Sequence, residues 1–242
     1  MKKIFSVTVW VLLAAVVTAS PITLAQADPM DEAIEAHESR DYAKAFKVFK
    51  ALAEQGDVNA QIRLGWLYQQ GKGVSQNFEK AMDLWLKAAN RGYSEAQFRL
   101  GLSYQIGFGV TKNFKKALKW LRLAAEQGHD RAQIHLALLY EKGNGVKQSS
   151  KEAFNWHMEA AGRGNIMAQV FLGHRYRTGD GVKKDVLEAY KWYTLALVRR
   201  GKEDEGKFDN ASGFPKMYRE LKLTAAQKQE ADEWVENWKP KE

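Results

Sequence analysis

Residues 57–92 read DVNAQIRLGWLYQQGKGVSQNFEKAMDLWLKAANRG, and residues 93–128 read YSEAQFRLGLSYQIGFGVTKNFKKALKWLRLAAEQG. The two stretches align without a gap, and two further copies of the 36-residue pattern begin at His129 and Asn165. An alanine, a glutamine, a leucine, a tyrosine and a G-x-G-V run recur at equivalent positions of all four copies. A fixed period of this length is typical of proteins built from stacked repeats.

Each copy predicts two helices joined by a loop. In the first copy, Ala60, Leu64, Leu67 and Tyr68 recur at spacings of three and four, which marks one face of a helix. Gly71 is expected to end this helix, because glycine readily takes the left-handed conformation just beyond a helix C-terminus. The second helix follows a capping residue at each of five equivalent positions, which hold Asp41, Asn77, Asn113, Ser149 and Asp185. Its end is predicted at Gly92, Gly128, Gly164 and, after a one-residue insertion, Gly201.

These helix pairs predict an all-α superhelical solenoid, because one pair cannot bury its own apolar face and stacked pairs share a core. Four full copies occupy residues 57–201, and residues 28–56 hold a short N-terminal capping helix and a half copy. Residues 202–242 are expected to form a polar loop and a C-terminal capping helix, which opens with a capping box at Thr224. One face of that last helix carries Ala231, Trp234, Val235 and Trp238.

Residues 1–27 have the features of a secretory signal peptide. Two lysines precede an apolar run from Ile4 to Val17, and Ala25-Gln26-Ala27 fits the A-x-A cleavage pattern. The apolar run is shorter than the ~20 residues that a spanning helix needs, which favours a cleaved signal over a retained membrane anchor. The expectation is cleavage after Ala27 and a periplasmic or secreted mature chain without a membrane span.

The composition restricts the classes of partner and the source of stability. The chain carries a net charge of +8, two of which lie in the predicted signal peptide. So moderate a surplus on an exported protein argues against a nucleic-acid partner. The chain has no cysteine, so an exported protein of this sequence cannot form disulfides and must rely on a packed core.

No motif predicts catalysis, a cofactor or a metal site. The histidines form neither an H-E-x-x-H nor an H-x-x-x-H pair, and no G-x-S-x-G run occurs. The G-x-G runs lack the preceding strand and the third glycine of a dinucleotide-binding loop. His157 takes the place of Trp85, Leu121 or Tyr193 in the other copies and is expected to be partly buried. Distant paired carboxylates for glycoside hydrolysis stay open, and a hydrolase ranks last among the functions.

The recurring residues resemble the Sel1-like repeat family, which is related to the tetratricopeptide repeats. The resemblance covers roughly residues 41–201 and follows the pattern A-x-x-x-L-G-x-x-Y, G-x-G-V, K-A-x-x-W/L-x-x-x-A-A and G. It implies a right-handed superhelical α/α solenoid that acts as a protein-interaction scaffold, in exported bacterial members often in envelope regulation, complex assembly or host contact. One branch of the family, linked to β-lactams, carries a cysteine pair in each repeat. This chain departs from that branch because it has no cysteine.

The resemblance also implies that the first helix of each pair lines a concave groove. On a helical wheel, positions 59, 63, 66 and 70 and their equivalents lie opposite the core, and they vary between copies whereas the core positions do not. The predicted ligand-binding residues in this groove are Arg63, Trp66, Gln70, Arg99, Leu102, Ile106, His135, Leu138, Lys142 and His174.

Two interpretations of the apolar members of this set stay open. Trp66, Leu102 and Leu138 can form an apolar ladder for an extended peptide, or they can simply pack against the adjacent hairpin. The predicted function is a monomeric, exported scaffold that binds a protein or peptide partner. The alternative ligand is a cell-envelope glycan, either peptidoglycan or an acidic polysaccharide.

Overall fold

The computed structural model describes residues 28–203 and 221–241, which form eleven helices and no strand. The predicted signal peptide and most of the predicted loop after Gly201 lie outside these ranges. The helices are α1 (Pro29–Glu38), α2 (Tyr42–Glu54), α3 (Val58–Gln70), α4 (Phe78–Asn90), α5 (Ser94–Ile106), α6 (Phe114–Glu126), α7 (Asp130–Lys142), α8 (Ser150–Gly162), α9 (Ile166–Thr178), α10 (Val186–Glu203) and α11 (Ala225–Asn237).

Each helix from α1 to α10 packs against its neighbours along the chain, so helix pairs stack one after another. Four clusters of buried apolar residues follow this order from α1 to α10, and each draws residues from adjacent helices. The prediction of an all-α solenoid is confirmed. No helix in the described ranges has both the length and the apolar character to cross a membrane.

The predicted capping residues begin the second helix of each pair. Asn77 accepts a hydrogen bond from the backbone N–H of Lys80 at 2.8 Å, which satisfies one of the unpaired donors of the first turn. The four equivalent residues make the same contact three positions ahead: Asp41, Asn113, Ser149 and Asp185.

The recurring glutamine joins each first helix to the second helix before it. The Gln97 side-chain amide donates to the backbone carbonyl of Ala89 at 3.2 Å, near the C-terminus of α4. Carbonyls in the last turn of a helix have no partner within the helix, so this bond satisfies one that would otherwise be buried and unpaired. The same bond recurs eight residues apart in the other copies, from Gln61, Gln133 and Gln169.

The G-x-G-V loops need both of their glycines, for two different reasons. Gly71 lies at the C-cap of α3 with φ +65°, in the left-handed region that disfavours a side chain. Gly73 also has a positive φ, and a Cβ there would collide with the backbone carbonyl of Tyr42 at the start of α2. The loop therefore closes one hairpin and packs against the previous one.

A small residue on each first helix faces a large buried residue on the second. A Cβ at Gly65 would lie 2.5 Å from Nε1 of Trp85, whose indole N–H donates to the Ile62 carbonyl at 3.1 Å. Gly101 faces Leu121 and Gly173 faces Tyr193 in the same close manner. These contacts allow the two helices of a pair to approach closely.

The two ends of the stack are covered by helices, as predicted. At the N-terminal end, α1 buries Ala33 and Ala36 against the core. At the C-terminal end, the capping box at Thr224 opens α11, which buries Ala231 and packs on α10. The side chains of Trp234, Val235 and Trp238 contact the same core.

The predicted end of α10 at Gly201 is wrong, since the helix continues through Lys202 to Glu203. The position that aligns with Gly56, Gly92, Gly128 and Gly164 holds Arg200. Those four glycines have φ between +82° and +96°, a conformation that arginine disfavours. The helix therefore has no residue that ends it at the usual point.

Candidate functional site

The sides of α1, α3, α5, α7 and α9 that point away from the second helices form one surface, here called the first-helix face. Asp57 fixes the start of α3 through a 2.7 Å bond to the Ala60 N–H, which sets the register of the outward residues. The outward positions are 59, 63, 66 and 70 and their equivalents in the other three copies, and none of them is fully buried. The repeated helix scaffold thus presents a variable set of side chains.

One concave site of about 320 Å³ lies on this face and is here called the first-helix pocket. Its residues come from three consecutive first helices: His37 of α1, Asn59, Ile62, Arg63 and Trp66 of α3, and Glu95 and Arg99 of α5. This volume lies at the lower end of the range for ligand pockets and suits one or two side chains rather than a large ligand.

Three of the predicted binding residues meet in this pocket, namely Arg63, Trp66 and Arg99. Sequence reasoning did not select His37, because α1 lies outside the repeat and its packing on α3 is a tertiary contact. Asn59 and Glu95 were placed on the outward side without being assigned a role in binding.

Trp66 is half-buried and is held in place by its neighbours. Its ring meets the His37 ring edge-on, with centroids 4.9 Å apart, and His37 in turn meets Tyr42 at 5.5 Å. The Lys72 ammonium, from the G-x-G-V loop, lies 4.5 Å from the Trp66 ring centroid and 4.7 Å from that of Tyr42. Both distances are within the range of a cation–π interaction.

The acidic residue of the pocket has charged partners, whereas not all of the basic residues do. Arg99 bonds Oε1 of Glu95 at 2.6 Å, and His129 contacts the other carboxylate oxygen at 2.9 Å. Among the described residues, no carboxylate lies within 4 Å of the charged nitrogens of Arg63 or Lys72. Both oxygens of the pocket's acid are therefore occupied, whereas Arg63 in the pocket and Lys72 beside it, over the Trp66 ring, have no carboxylate partner among the described residues.

The pKa shifts agree with this charge distribution. Partial burial, followed by the positive charges of Arg63 and Lys72, lowers the pKa of His37 below its usual value, with a small opposing effect from Glu38. Burial alone would raise the pKa of Glu95, but its bonds to His129 and Arg99 outweigh this effect and lower that pKa.

The other predicted binding residues lie elsewhere on the face. Gln70, Lys142 and His174 are exposed, as is Ile106 at 55%. His135 is half-buried, with Nδ1 2.8 Å from the Gln105 side-chain oxygen, and burial lowers its pKa.

The three residues of the proposed apolar ladder pack against three separate parts of the core. Trp66, Leu102 and Leu138 are each half-buried, and each packs against a different cluster of buried residues. All three contribute to the core and also keep exposed surface. A binding role for these and for the other residues of the face stays a prediction.

His157 is fully buried, so the expectation of partial burial is wrong. Its Nε2 lies 3.2 Å from Glu141, which also pairs with Arg175, and Arg175 in turn bonds Asp180 at 3.1 Å. The equivalents of Glu141 in the first two copies are Gln69 and Gln105, and those of Arg175 in the first three are Leu67, Ser103 and Leu139. Comparison of the copies could have detected this network, since a charge appears at a core position in only one of them.

Catalytic or metal chemistry has no obvious place in this arrangement. Across residues 28–203 and 221–241, no group of three or more histidine, aspartate or glutamate side chains could hold a metal ion. The Glu141–His157–Arg175 contacts lie inside the helix stack, where they serve packing. The absence of catalysis stays a prediction.

Comparisons with known proteins agree on the family. The Sel1 repeat family matches residues 37–57, 58–93, 94–129, 130–165 and 166–197. A Sel1 repeat protein from Oxalobacter formigenes is 33% identical, with a TM-score of 0.65 over 83% of this chain and 88% of that one. No curated protein matches the chain.

Two further structures are similar over most of this chain. The protective antigen c5321 of uropathogenic Escherichia coli, which displays an SLR fold, is 28% identical with a TM-score of 0.50 over 87% of this chain and 53% of that one. The immunity protein PA5088 of Pseudomonas aeruginosa shares the fold at 20% identity, with a TM-score of 0.50 over 89% of this chain and 84% of that one. The chain therefore belongs to the Sel1 repeat family, whose solenoid is a protein–protein interaction scaffold and is generally not enzymatic.

Proposed function

We propose that this protein is an exported scaffold that binds a protein or peptide partner on its first-helix face, with the first-helix pocket as the main contact. The observation that carries the proposal is the pocket itself. It combines an aromatic ring, an aliphatic side chain and two arginines in a volume that fits side chains of a partner. Tryptophan and arginine are the residues most often found at the energetic centres of protein interfaces.

The difference between face and core supports the same assignment. The recurring glutamines, caps and glycines repeat the same contacts in successive copies. The outward positions change from copy to copy, for example Trp66, Leu102, Leu138 and His174. A surface that must only be solvated needs neither a tryptophan nor a pocket. We assign this variation to recognition of one partner along the stack.

The proposal includes export, with removal of residues 1–27 and release of a monomeric chain into the periplasm or the medium. It rests on the basic start, apolar run and A-x-A site of the sequence. Fractionation of the host cell with N-terminal sequencing tests it. A chain that starts at Asp28 in the periplasm or medium supports export, and a chain that keeps Met1 in the cytoplasm contradicts it.

The binding proposal is tested by crosslinking and capture in the protein's own host. The full chain carries a C-terminal tag, and the captured proteins are identified and then purified for direct titration. The face variant is Trp66→Ala with Arg63→Ala. The matched control is Leu86→Ala, since Leu86 is 43% exposed on α4, a second helix outside the face.

A purified partner that binds the parent and the control, and binds the face variant at least tenfold more weakly, supports the proposal. Circular dichroism must show equal helicity in all three proteins. Equal binding to all three would place the interface elsewhere. Captured material that contains no protein and disappears after lysozyme or polysaccharide-lyase treatment would replace the proposal with glycan binding.

A further inference from the structure

The first-helix pocket contains more positive charge than its own carboxylate neutralises. Arg63 is exposed, and its guanidinium carbon lies 5.9 Å from the centroid of the Phe49 ring. Lys72 contacts the aromatic rings of Tyr42 and Trp66. Glu95 is already bonded to Arg99 and His129 through its two oxygens. The site therefore has donors for an anion, and its one carboxylate already pairs with Arg99 and His129.

Both cations lie on the side of Trp66 and His37: Arg63 lines the same pocket as these two residues, and Lys72 lies 4.5 Å from the ring centroid of Trp66, which His37 contacts. Positive charge from Arg63 and from Lys72 lowers the pKa of His37, beyond the effect of partial burial. The opposing acid, Glu38, lies on α1 next to His37 and is exposed. The charged groups around His37 thus come from α1, α3 and the loop after α3, and their sum is positive.

The floor of the pocket provides a different kind of contact. Ile62 is 8% exposed, and Trp66 presents a half-buried indole ring fixed by His37. Together they offer an apolar surface for one aliphatic or aromatic side chain. The guanidinium of Arg63 offers two parallel N–H groups that match a carboxylate.

We infer that the first-helix pocket recognises an acidic peptide segment, in which a side-chain carboxylate of aspartate or glutamate pairs with Arg63 while a neighbouring apolar side chain packs on Trp66 and Ile62. This inference rests on the proposed function and specifies the chemistry of the partner. Charge complementarity selects the acid, and the indole surface selects its apolar neighbour.

The other end of the face lacks this combination. His174, the equivalent of Trp66 in the fourth copy, is exposed and lies 3.4 Å from an Arg177 nitrogen. The equivalent of Arg63 there is Phe171, which stacks on buried His157 with centroids 4.7 Å apart. The fourth copy therefore lacks the pairing of an exposed arginine with a half-buried indole ring that the first copy has.

The test uses a random dodecapeptide display library selected against the full chain as processed by its host. Enriched sequences are synthesised as acetylated peptides, each with a matched version in which aspartate and glutamate become asparagine and glutamine. Titrations compare the parent with Arg63→Gln and Trp66→Ala. Arg131→Gln is the charge control, because Arg131 is an exposed arginine of the same face outside the pocket.

The inference expects enriched peptides to carry an acid within two positions of an apolar residue. Arg63→Gln should weaken their binding about tenfold, as expected for one charge-assisted hydrogen-bonded pair. The amide version of a peptide should lose as much and should show no further loss on Arg63→Gln, which makes the two changes non-additive. Arg131→Gln should change the affinity less than twofold. Added salt should weaken binding of the acidic peptides.

A second readout follows the histidine directly. NMR titration of His37 should show its pKa rise when an acidic peptide binds, because the added carboxylate stabilises the imidazolium. Peptides that require Trp66 but contain no acid, and that bind Arg63→Gln as well as the parent, would overturn this inference and leave the proposed function standing. Failure to enrich any peptide whose binding depends on Arg63 would also overturn this inference, whereas the proposed function, which includes folded protein partners, is decided by the capture experiment.

Discussion

Two places in the stack, here called junctions, bury different kinds of side chain between equivalent helices. In the first copy, Trp85 lies under Gly65 in an apolar cluster, with its N–H bonded to a backbone carbonyl and the guanidinium carbon of Arg99 5.7 Å from its ring centroid. Between the third and fourth copies, His157 takes the place of the tryptophan, and buried His157 and Arg175 both contact the half-buried carboxylate of Glu141.

The difference teaches that the helix geometry depends on close contact at this position and on satisfied polar groups rather than on one residue type. The third copy has Ala137 where the others have a glycine, and its buried partner is the smaller ring of a histidine. The second copy places Leu121 opposite Gly101, so this buried position accepts partners of different volume. The polar version adds a requirement, since each of its charges must keep its partner.

The largest change in stability is expected when one residue of the Glu141–His157–Arg175 network is replaced. Glu141→Gln, which restores the residue of the first two copies, should lower the free energy of unfolding by about 3 kcal/mol, because it leaves Arg175 buried with only Asp180 as an acidic partner. Urea unfolding followed by far-UV circular dichroism measures the change.

The double variant Glu141→Gln with Arg175→Leu is the control for this prediction. It gives the junction the residues that the first copy has at both positions. Its stability should return to within about 1 kcal/mol of the parent, since a buried ion pair and an apolar pair are often of similar stability. A double variant as unstable as the single one would show that the network has a role beyond mutual charge compensation.

The next largest change in stability is expected where Gly65 packs against Trp85. Gly65→Ala should cost about 2 kcal/mol, because the added Cβ meets Trp85 at 2.5 Å and the overpacking outweighs the better helix propensity of alanine. The reverse exchange, Ala137→Gly at the third junction, should cost only about 1 kcal/mol from propensity. Thermal unfolding of both variants checks the order. Stabilisation by Gly65→Ala would contradict this close packing.

The polar junction should also make stability depend on acid. The hydrogen bond from His157, with further help from Arg175, holds the pKa of Glu141 below its usual value despite the opposing effect of burial. A lowered folded-state pKa contributes stability above the unfolded value of about 4.3, and this is lost as the pH falls through the folded pKa. Between pH 7 and pH 2, the parent should therefore lose more stability than Glu141→Gln. If the stabilities of the parent and of Glu141→Gln fall in parallel with pH, Glu141 does not contribute to the acid sensitivity.

The smallest change in stability is expected at the first residue of each copy, which is the N-cap of a first helix. Asp57 caps α3 at 2.7 Å, whereas Tyr93 makes no side-chain cap for α5 and is 40% exposed. Tyr93→Asp should stabilise the protein by about 0.5–1 kcal/mol, and Asp57→Ala should destabilise it by about 1 kcal/mol. Melting temperatures of the two variants give the signs. A destabilising Tyr93→Asp would mean that the tyrosine ring packs better than a cap binds.

Features that depend on a few adjacent residues could be predicted from the sequence. Asn77 caps a helix and Gly71 ends one because each acts on backbone groups three or four residues away. The half copy with Ala45 and Phe49 follows from the same 36-residue register, and both residues are fully buried. The outward side of α3 follows from the helical period alone.

Features that depend on contacts across the chain could not be predicted in the same way. His37 reaches Trp66 only because α1 packs beside α3, and nothing local to either residue indicates this. The full burial of His157 depends on α8 lying between its neighbours, with Glu141 and Arg175 close enough to satisfy it. The helix α10 passes Gly201 because no glycine stands one residue earlier, where the repeat places its turn.

The sequence by itself thus determined the period, the helix ends other than that of α10 and the set of outward residues, since these follow from backbone hydrogen bonding and helical spacing. Only the tertiary structure decided which outward residues form a common site. It brought Arg63, Trp66 and Arg99 together with His37 around one pocket and left His174 apart from them. The physical reason is that side chains on different helices meet only where helix packing brings them within contact distance, and the repeat pattern does not encode that distance.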